Sequence, residues 1–148
     1  GIQARNLARL SEAGVRIGFG VGAPGVIAGL WKVKEHYNVN SLSQVAAEAA
    51  LDDIDWMRSN ATLVIATRQR LTASLRELGF HVWDSAANFV LARTAAGTDA
   101  ASLYASLRDR GVLVRYFSDN PRLSDCLRIS IGTEAETDRL LQELRALL

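Results

Sequence analysis

The chain has 148 residues, a net charge of +1, one cysteine and two histidines, and 49% of its residues are hydrophobic. This length is typical of about one domain, which can build a core without metals or disulfides. A single cysteine excludes an intramolecular disulfide, and so few cysteines and histidines give no reason to expect a metal site. The balanced charge argues against nucleic-acid binding, and no apolar run is long enough to cross a membrane, so we expect a soluble cytoplasmic protein.

The first forty residues predict a strand followed by a helix. Residues 1–12 are polar and have no clear helical or strand period, so they predict a lead-in without defined structure. Residues 15–21 alternate apolar and other side chains, which is typical of a strand. Pro24 is well placed to begin a helix, and the apolar spacing that follows extends this helix to His36.

Residues 41–78 contain neither glycine nor proline and predict two helices. Ser41 and Gln44 have the spacing of a capping box, in which each side chain binds the backbone N–H of the other residue, so a helix is predicted from Leu42. The acidic cluster at residues 52–55 predicts the end of this helix and the start of a second one. The second helix carries one apolar stripe, formed by Val64, Leu71, Leu75 and Leu78.

The remainder of the chain predicts short strands that alternate with helices. Glycines at positions 79 and 111 are placed to end helices, and Thr98 is placed to cap the helix that ends at Arg110. The predicted strands are residues 80–83, 88–92, 112–116 and 127–131. Thr133 and Glu136 form a second capping box ahead of a last helix, whose apolar stripe is Leu140, Leu141, Leu144, Leu147 and Leu148. These elements predict an α+β fold, in which a small mixed or antiparallel sheet carries long helices packed on one side.

Three arginines, Arg16, Arg115 and Arg128, lie within otherwise apolar strand patterns. An arginine in such a place is costly unless it is paired or directed into a polar cleft. Each one taken alone is explained by a nearby carboxylate or by solvent at a sheet edge. Three in one small domain favour an anion pocket, because guanidinium groups bind carboxylate and phosphate through two parallel hydrogen bonds.

Other polar residues have simpler interpretations. Asn88 is placed as a turn residue at the start of a strand, and Tyr37 lies in a predicted surface loop. Cys126 has no neighbouring histidine in the sequence, so we interpret it as a small buried hydrophobic residue and not as a nucleophile.

Five segments of the chain carry a resemblance to a known family, and they occur in the family's order: residues 15–19, 32–40, 87–90, 111–115 and 127–133. Together they resemble the C-terminal part of the histidinol-phosphate aminotransferases, which are pyridoxal-phosphate enzymes of the fold-type I, class II aminotransferase group. The resemblance implies that residues 1–40 are a remnant of a large-domain strand and its connecting helix. Residues 41–148 would then be the C-terminal small domain.

The resemblance also assigns roles to the arginines. In the family, the arginine that matches Arg16 contacts the phosphate of the cofactor. The arginine that matches Arg128 binds the substrate carboxylate or its vicinity, and the one that matches Arg115 lies near the substrate phosphate. Asn88 and Tyr37 match positions that line or border the same cleft. The candidate substrate-binding residues, for an amino-acid-like phosphate, are therefore Arg128, Arg115, Asn88 and Tyr37.

The sequence departs from the family at the catalytic lysine. Family members carry a lysine eight residues before the arginine that matches Arg16, and this lysine forms the Schiff base with pyridoxal phosphate. This chain has Ala8 there, or Arg9 with a gap of one residue, and arginine cannot lose its proton to act as an amine nucleophile. Lys32 and Lys34 match no catalytic position. We therefore expect no catalytic residue and no covalent cofactor in this chain.

Whether the chain is an enzyme by itself stays open at this point. The parent reaction implied by the resemblance moves an amino group between L-histidinol phosphate and 2-oxoglutarate, in an enzyme that is a dimer, and the chain alone is predicted to be inactive. The alternatives are a noncatalytic interaction module or a decayed enzyme fragment, and the equivalent part of a phosphothreonine decarboxylase or an aromatic aminotransferase. The apolar side chains Val21, Ile27, Leu30 and Trp31 predict an exposed patch, and hence self-association.

Overall fold

The computed structural model describes residues 3–6, 17–36 and 38–148. The described strands are β1 (Gln3–Asn6), β2 (Gly18–Val21), β3 (His81–Val82), β4 (Phe89–Arg93), β5 (Arg115–Tyr116) and β6 (Cys126–Ser130). The described helices are α1 (Pro24–Val33), α2 (Ser41–Asp52), α3 (Ile54–Glu77), α4 (Ala100–Asp109) and α5 (Glu134–Leu147). The chain divides into two compact units, residues 1–61 and 62–148, and this division falls within α3. The predicted domain boundary between residues 40 and 41 stays a prediction.

In the first unit, β1 and β2 form an antiparallel pair in which Gln3 lies opposite Val21 and Asn6 opposite Gly18. The predicted strand at residues 15–21 is therefore confirmed over its described second half. The prediction that residues 1–12 have no defined structure is wrong for β1, because pairing with β2 fixes this segment without any periodic pattern of its own.

The helices of the first unit begin and end close to where the sequence predicts. Pro24 occupies the first turn of α1, but the helix ends at Val33 and does not reach His36. The predicted capping box at Ser41 and Gln44 is wrong, because the Oδ1 atom of Asn40 accepts a hydrogen bond from the Ser43 N–H at 2.8 Å. Asparagine is as good a helix cap as serine, and here it lies one residue earlier. The predicted break between two helices is confirmed, since α2 ends at Asp52 and α3 begins at Ile54.

The second unit contains a four-stranded antiparallel sheet with the strand order β3-β4-β6-β5. One face of this sheet forms the core with α3, α4 and α5. Fully buried residues of this core come from both layers: Leu71, Leu75, Val90, Leu107, Leu127 and Leu144. The predicted α+β fold, with helices packed on one side of a small sheet, is confirmed. The last predicted core residue, Leu148, is instead 48% exposed, because it follows the end of α5.

Two predicted strands begin later in the structure than the sequence predicts. In each case the first backbone N–H group of the predicted strand donates a hydrogen bond to the preceding helix. Gly79 and Gly111 both have positive φ angles, 87° and 78°, as predicted for residues that end helices. The next residue in each case donates its backbone N–H back to the helix: Phe80 to the Leu75 carbonyl and Val112 to the Leu107 carbonyl. These bonds keep Phe80 out of β3, which begins at His81, and Val112 out of β5, which consists of Arg115 and Tyr116.

The caps of α4 and α5 differ in how well the sequence predicts them. The prediction that Thr98 caps α4 is wrong, because the Oδ2 atom of Asp99 accepts from the Ser102 N–H at 2.8 Å. The capping box of α5 is confirmed: Thr133 accepts from the Glu136 N–H, and Glu136 accepts from the Thr133 N–H at 2.7 Å. This cap fixes the point at which the chain leaves β6 and enters α5.

Candidate anion-binding site

Two of the predicted site residues, Arg115 and Arg128, lie directly opposite each other on neighbouring strands. The register pairs Arg115 of β5 with Arg128 of β6. Side chains alternate between the two faces of a strand, and the neighbours Leu127 and Ile129 are buried in the core. Arg128 and its partner therefore share the face of the sheet that carries no helix of this unit, which we call the open face.

Within the described part of the chain, neither arginine of this pair has an acidic partner. No carboxylate of the described residues lies within 4.0 Å of either guanidinium, and both side chains are exposed. Like charges placed directly opposite each other on a sheet are destabilising. An anion between the two groups would offset this repulsion and accept hydrogen bonds from both guanidinium groups.

Each arginine lies near the face of an aromatic ring. The Cζ atom of Arg128 is 5.4 Å from the ring centre of Phe89, and that of Arg115 is 5.8 Å from the ring centre of Phe117. Both distances are within the range of a cation–π interaction. The sequence analysis did not assign a role to either ring, because the contact with Phe89 depends on the pairing of β4 with β6.

The third described candidate, Asn88, lies directly before β4. It is exposed, and its carbonyl accepts from the Ile131 N–H at 2.8 Å. The loop before it is held by Arg68 of α3, whose Nη1 atom donates to the Ala87 carbonyl at 2.6 Å. The sequence analysis assigned no role to Arg68, because this contact joins α3 to a loop 19 residues further along the chain.

Further along the same face, Arg93 of β4 is neutralised by Asp125. The Arg93 Nε atom and an Asp125 carboxylate oxygen are 2.7 Å apart, and the guanidinium also lies 5.2 Å from the ring centre of Trp83. The Sγ atom of Cys126 donates to Asp125 at 3.1 Å. Burial, followed by this hydrogen bond, raises the pKa of the Cys126 thiol to about 11. This thiol is protonated near neutral pH and is a poor nucleophile, as the sequence analysis expected.

The remaining two candidates, Arg16 and Tyr37, lie outside the described residues. Their roles as a cofactor ligand and a substrate ligand stay predictions. An open cavity of about 550 Å³ lies elsewhere in the second unit, at the edge of the sheet beside α5. Its lining includes Val112, Ile129 and Leu140 but neither Arg115 nor Arg128, so its size gives no support to the arginine site.

Comparison with known families shows to which group the chain belongs. Residues 9–144 match the family described as "Aminotransferase class I and II". The chain belongs to this family. The resemblance inferred from the five sequence segments is thereby confirmed, and the class I and II aminotransferases use pyridoxal phosphate as their cofactor.

Similar proteins within the class I and II aminotransferases carry a more specific name. The chain is 46% identical over 138 residues to histidinol-phosphate aminotransferase 1 of Nostoc sp., a match that covers 93% of this chain and 38% of that protein. The solved histidinol-phosphate aminotransferase of Clostridium acetobutylicum superposes with a TM-score of 0.83 at 25% identity, covering 99% of this chain and 45% of that one. The chain therefore spans well under half the length of these relatives.

A third relative was solved with the cofactor of these aminotransferases bound. The histidinol-phosphate aminotransferase of Sinorhizobium meliloti, in complex with pyridoxal-5'-phosphate, has a TM-score of 0.74 and 30% identity, covering 99% of this chain and 42% of that one. Covalent attachment of this cofactor needs a lysine amine held in a site.

The lysines of this aminotransferase chain do not meet that need. Lys32 and Lys34 are its only lysines, and both are exposed. Lys34 donates to the carbonyl of Glu35 at 3.0 Å and lies 5.2 Å from the ring centre of Trp31. The chain's own residues therefore do not fit covalent attachment of pyridoxal phosphate.

The described residues show one further property relevant to location. None of their helices is both long enough and apolar enough to span a bilayer.

Proposed function

We propose that this chain is the C-terminal, substrate-binding part of a histidinol-phosphate aminotransferase-like protein. In this proposal Arg115 and Arg128 bind the anionic end of the substrate, and the chain does not catalyse amino transfer by itself. The parent reaction exchanges an amino group between L-histidinol phosphate and 2-oxoglutarate. The observation that carries the proposal is the register pair of arginines on the open face, which has no carboxylate partner among the described residues.

The chemistry available to this pair is binding and orientation. A guanidinium presents several N–H donors in one plane and matches the oxygens of a phosphate or carboxylate. Two such groups on adjacent strands can contact one anion from two sides. Because backbone pairing joins β5 to β6 and β6 to β4, the anion would be held at a defined position along these strands, with the remainder of the substrate directed across the sheet.

The proposal assigns substrate binding to this chain but not catalysis. Proton transfer at the substrate carbon and attachment of the cofactor both need a lysine amine in the site. Both lysines of this chain, Lys32 and Lys34, are exposed, and neither matches a catalytic position of the family. We therefore assign the chain two binding roles and no catalytic one: Arg115 and Arg128 bind the substrate anion, and Arg16 makes the cofactor phosphate contact that the family resemblance implies.

Location and partners follow from the same assignment. As part of a biosynthetic enzyme, the chain is assigned to the cytoplasm, with residues 41–148 forming the small domain of a dimeric parent. The equivalent part of a phosphothreonine decarboxylase is a weaker candidate. A solved enzyme of that kind from Porphyromonas gingivalis is only 23% identical to the chain, which shows a shared fold and nothing finer.

The test is a calorimetric titration of the 148-residue chain with L-histidinol phosphate. Arg128→Ala and Arg115→Ala are each expected to weaken binding about tenfold or more, because each removes charged hydrogen bonds to the anion. Arg122→Ala is the matched control, since it removes the same charge from an exposed loop outside the sheet. The same preparation, supplied with pyridoxal phosphate and 2-oxoglutarate, is expected to form no glutamate.

Two results would contradict the proposal. Equal loss of binding in all three variants would mean that net charge alone attracts the ligand. Formation of glutamate at a rate proportional to chain concentration would mean that another group replaces the missing lysine.

A further inference from the structure

The side chains of Arg115 and Arg128 point in opposite directions along the sheet, and each guanidinium lies over a different aromatic ring. Arg128 lies over the ring of Phe89, and the register places Phe89 opposite Ser130, two residues beyond Arg128 in β6. Phe89 also belongs to β4, on the side of β6 away from β5. The Arg128 side chain therefore leans away from Arg115 both along the strand and across the sheet.

Arg115 leans the other way. Its partner ring, Phe117, lies two residues further along the chain, just after β5. β5 and β6 are antiparallel, and Tyr116 pairs with Leu127. The chain from Arg115 to Phe117 therefore runs toward the first residue of β6 and away from Ser130. The two rings thus lie at opposite ends of the arginine pair.

This divergence has a physical cause. Two positive charges directly opposite each other repel, and the negative face of an aromatic ring attracts a guanidinium. In the absence of an anion, each ring offers its arginine an attractive position that increases its separation from the other. Phe89 is 37% exposed, so its ring face can be reached from the open face of the sheet.

We infer that Phe89 and Phe117 are positioning residues, which hold Arg128 and Arg115 apart in the free chain and compete with an anion that bridges both arginines. This inference rests on the proposed function, because it concerns the same pair. A ligand that contacts both guanidinium groups must draw them together and away from their rings. Removal of a ring therefore strengthens binding of the anion.

The experiment uses inorganic phosphate as the probe and the full 148-residue chain. Dissociation constants are measured at fixed ionic strength by nuclear magnetic resonance, from the side-chain Nε–H signals of the arginines. Phe89→Leu and Phe117→Leu are each expected to bind phosphate about two- to fivefold more tightly, the equivalent of one exposed cation–π contact. Phe89→Tyr keeps the ring and is expected to bind like the unsubstituted chain, and Leu113→Ala is a control on the exposed edge beside β5.

A spectroscopic signature separates this role from a general structural one. In the free chain, the ring current of Phe89 shifts the side-chain signals of Arg128 upfield. This shift is expected to disappear on addition of phosphate and to be absent from Phe89→Leu without ligand. If Phe89 had a purely structural role, the part of the Arg128 upfield shift that depends on the Phe89 ring would remain when phosphate binds.

Each outcome decides the inference. Tighter binding by both leucine variants, with loss of the ring-current shift on phosphate addition, supports it. Weaker or unchanged binding by these variants overturns it and leaves the proposed function intact, since the rings would then assist the arginines or do nothing. Failure of the unsubstituted chain to bind phosphate overturns the proposed function and the inference together.

Discussion

Glu143 illustrates how single residues hold the second unit together. It is only 8% exposed, and its carboxylate oxygens lie 2.8 Å from the guanidinium of Arg110 and 2.9 Å from that of Arg139. The hydrogen bond from Arg110 is the largest cause that lowers the pKa of Glu143 from its ordinary value of 4.5. Because the pKa is lower in the folded chain, this interaction stabilises the fold above about pH 4.5, and the stabilisation is lost as the pH falls through the folded pKa.

Glu143→Gln is therefore expected to lower the melting temperature at pH 7, and the difference from the unsubstituted chain is expected to shrink as the pH is lowered below 4.5. Thermal unfolding followed by circular dichroism at a series of pH values measures both effects. Glu77→Gln, at an exposed position near the end of α3, is the control and is expected to change little. A difference that is constant from pH 3 to pH 7 would show that the charge of Glu143 contributes nothing.

At the scale of elements, the capping box of α5 joins the sheet to its last helix. Thr133 follows β6 almost directly, and its hydroxyl accepts from the Glu136 N–H at 3.3 Å. We expect Thr133→Ala to reduce the free energy of unfolding by about 1 kcal/mol, the usual loss for a helix cap. Thr133→Ser, which keeps the hydroxyl, should retain most of the stability.

Urea denaturation of the two variants measures this difference. Because α5 contributes Leu140, Leu141 and Leu144 to the core, a weaker cap is expected to reduce the stability of the whole second unit in one transition. Equal stability of the alanine and serine variants would mean that the hydroxyl of Thr133 is replaced by water at no cost.

At the scale of the whole molecule, the first unit carries several large apolar side chains that are exposed. α1 has no buried residue, and Val21, Leu30, Trp31 and Val33 are between 48% and 80% exposed. Ile27, also expected in this patch, is half-buried. Contiguous apolar surface of this kind is typical of a protein interface. Self-association of the chain therefore stays our prediction.

Sedimentation velocity over a range of concentrations tests it. The average mass is expected to increase with concentration, and Trp31→Glu is expected to shift the distribution toward the monomer. Leu113→Glu, which adds the same charge at an exposed apolar residue of the second unit, is the control. A single monomeric species at high concentration in the unsubstituted chain would rule out association through this patch.

Local chemistry in the sequence was sufficient for most elements of the fold. Glycines at 79 and 111, the proline at 24 and the Thr133–Glu136 pair act on their immediate neighbours, and the structure confirms each of them. The strict alternation around Arg128 likewise placed this arginine opposite the buried face of β6. The two wrong cap predictions, Ser41 and Thr98, are each one residue away from the observed caps, Asn40 and Asp99, because neighbouring side chains there compete for the same backbone donors.

Pairing between strands that are distant in sequence determined the features that local sequence patterns do not predict. β1 has no periodic pattern and exists through its partner strand, and the opposition of Arg115 and Arg128 follows from the register of β5 with β6. The contacts of Arg128 with Phe89 and of Arg68 with the Ala87 carbonyl also join residues far apart in sequence. The sequence by itself determined the family, the elements and the candidate arginines, because those depend on residue types and their spacing. Only the tertiary structure decided which arginines face each other and which rings they contact, because strand register is a property of the folded chain.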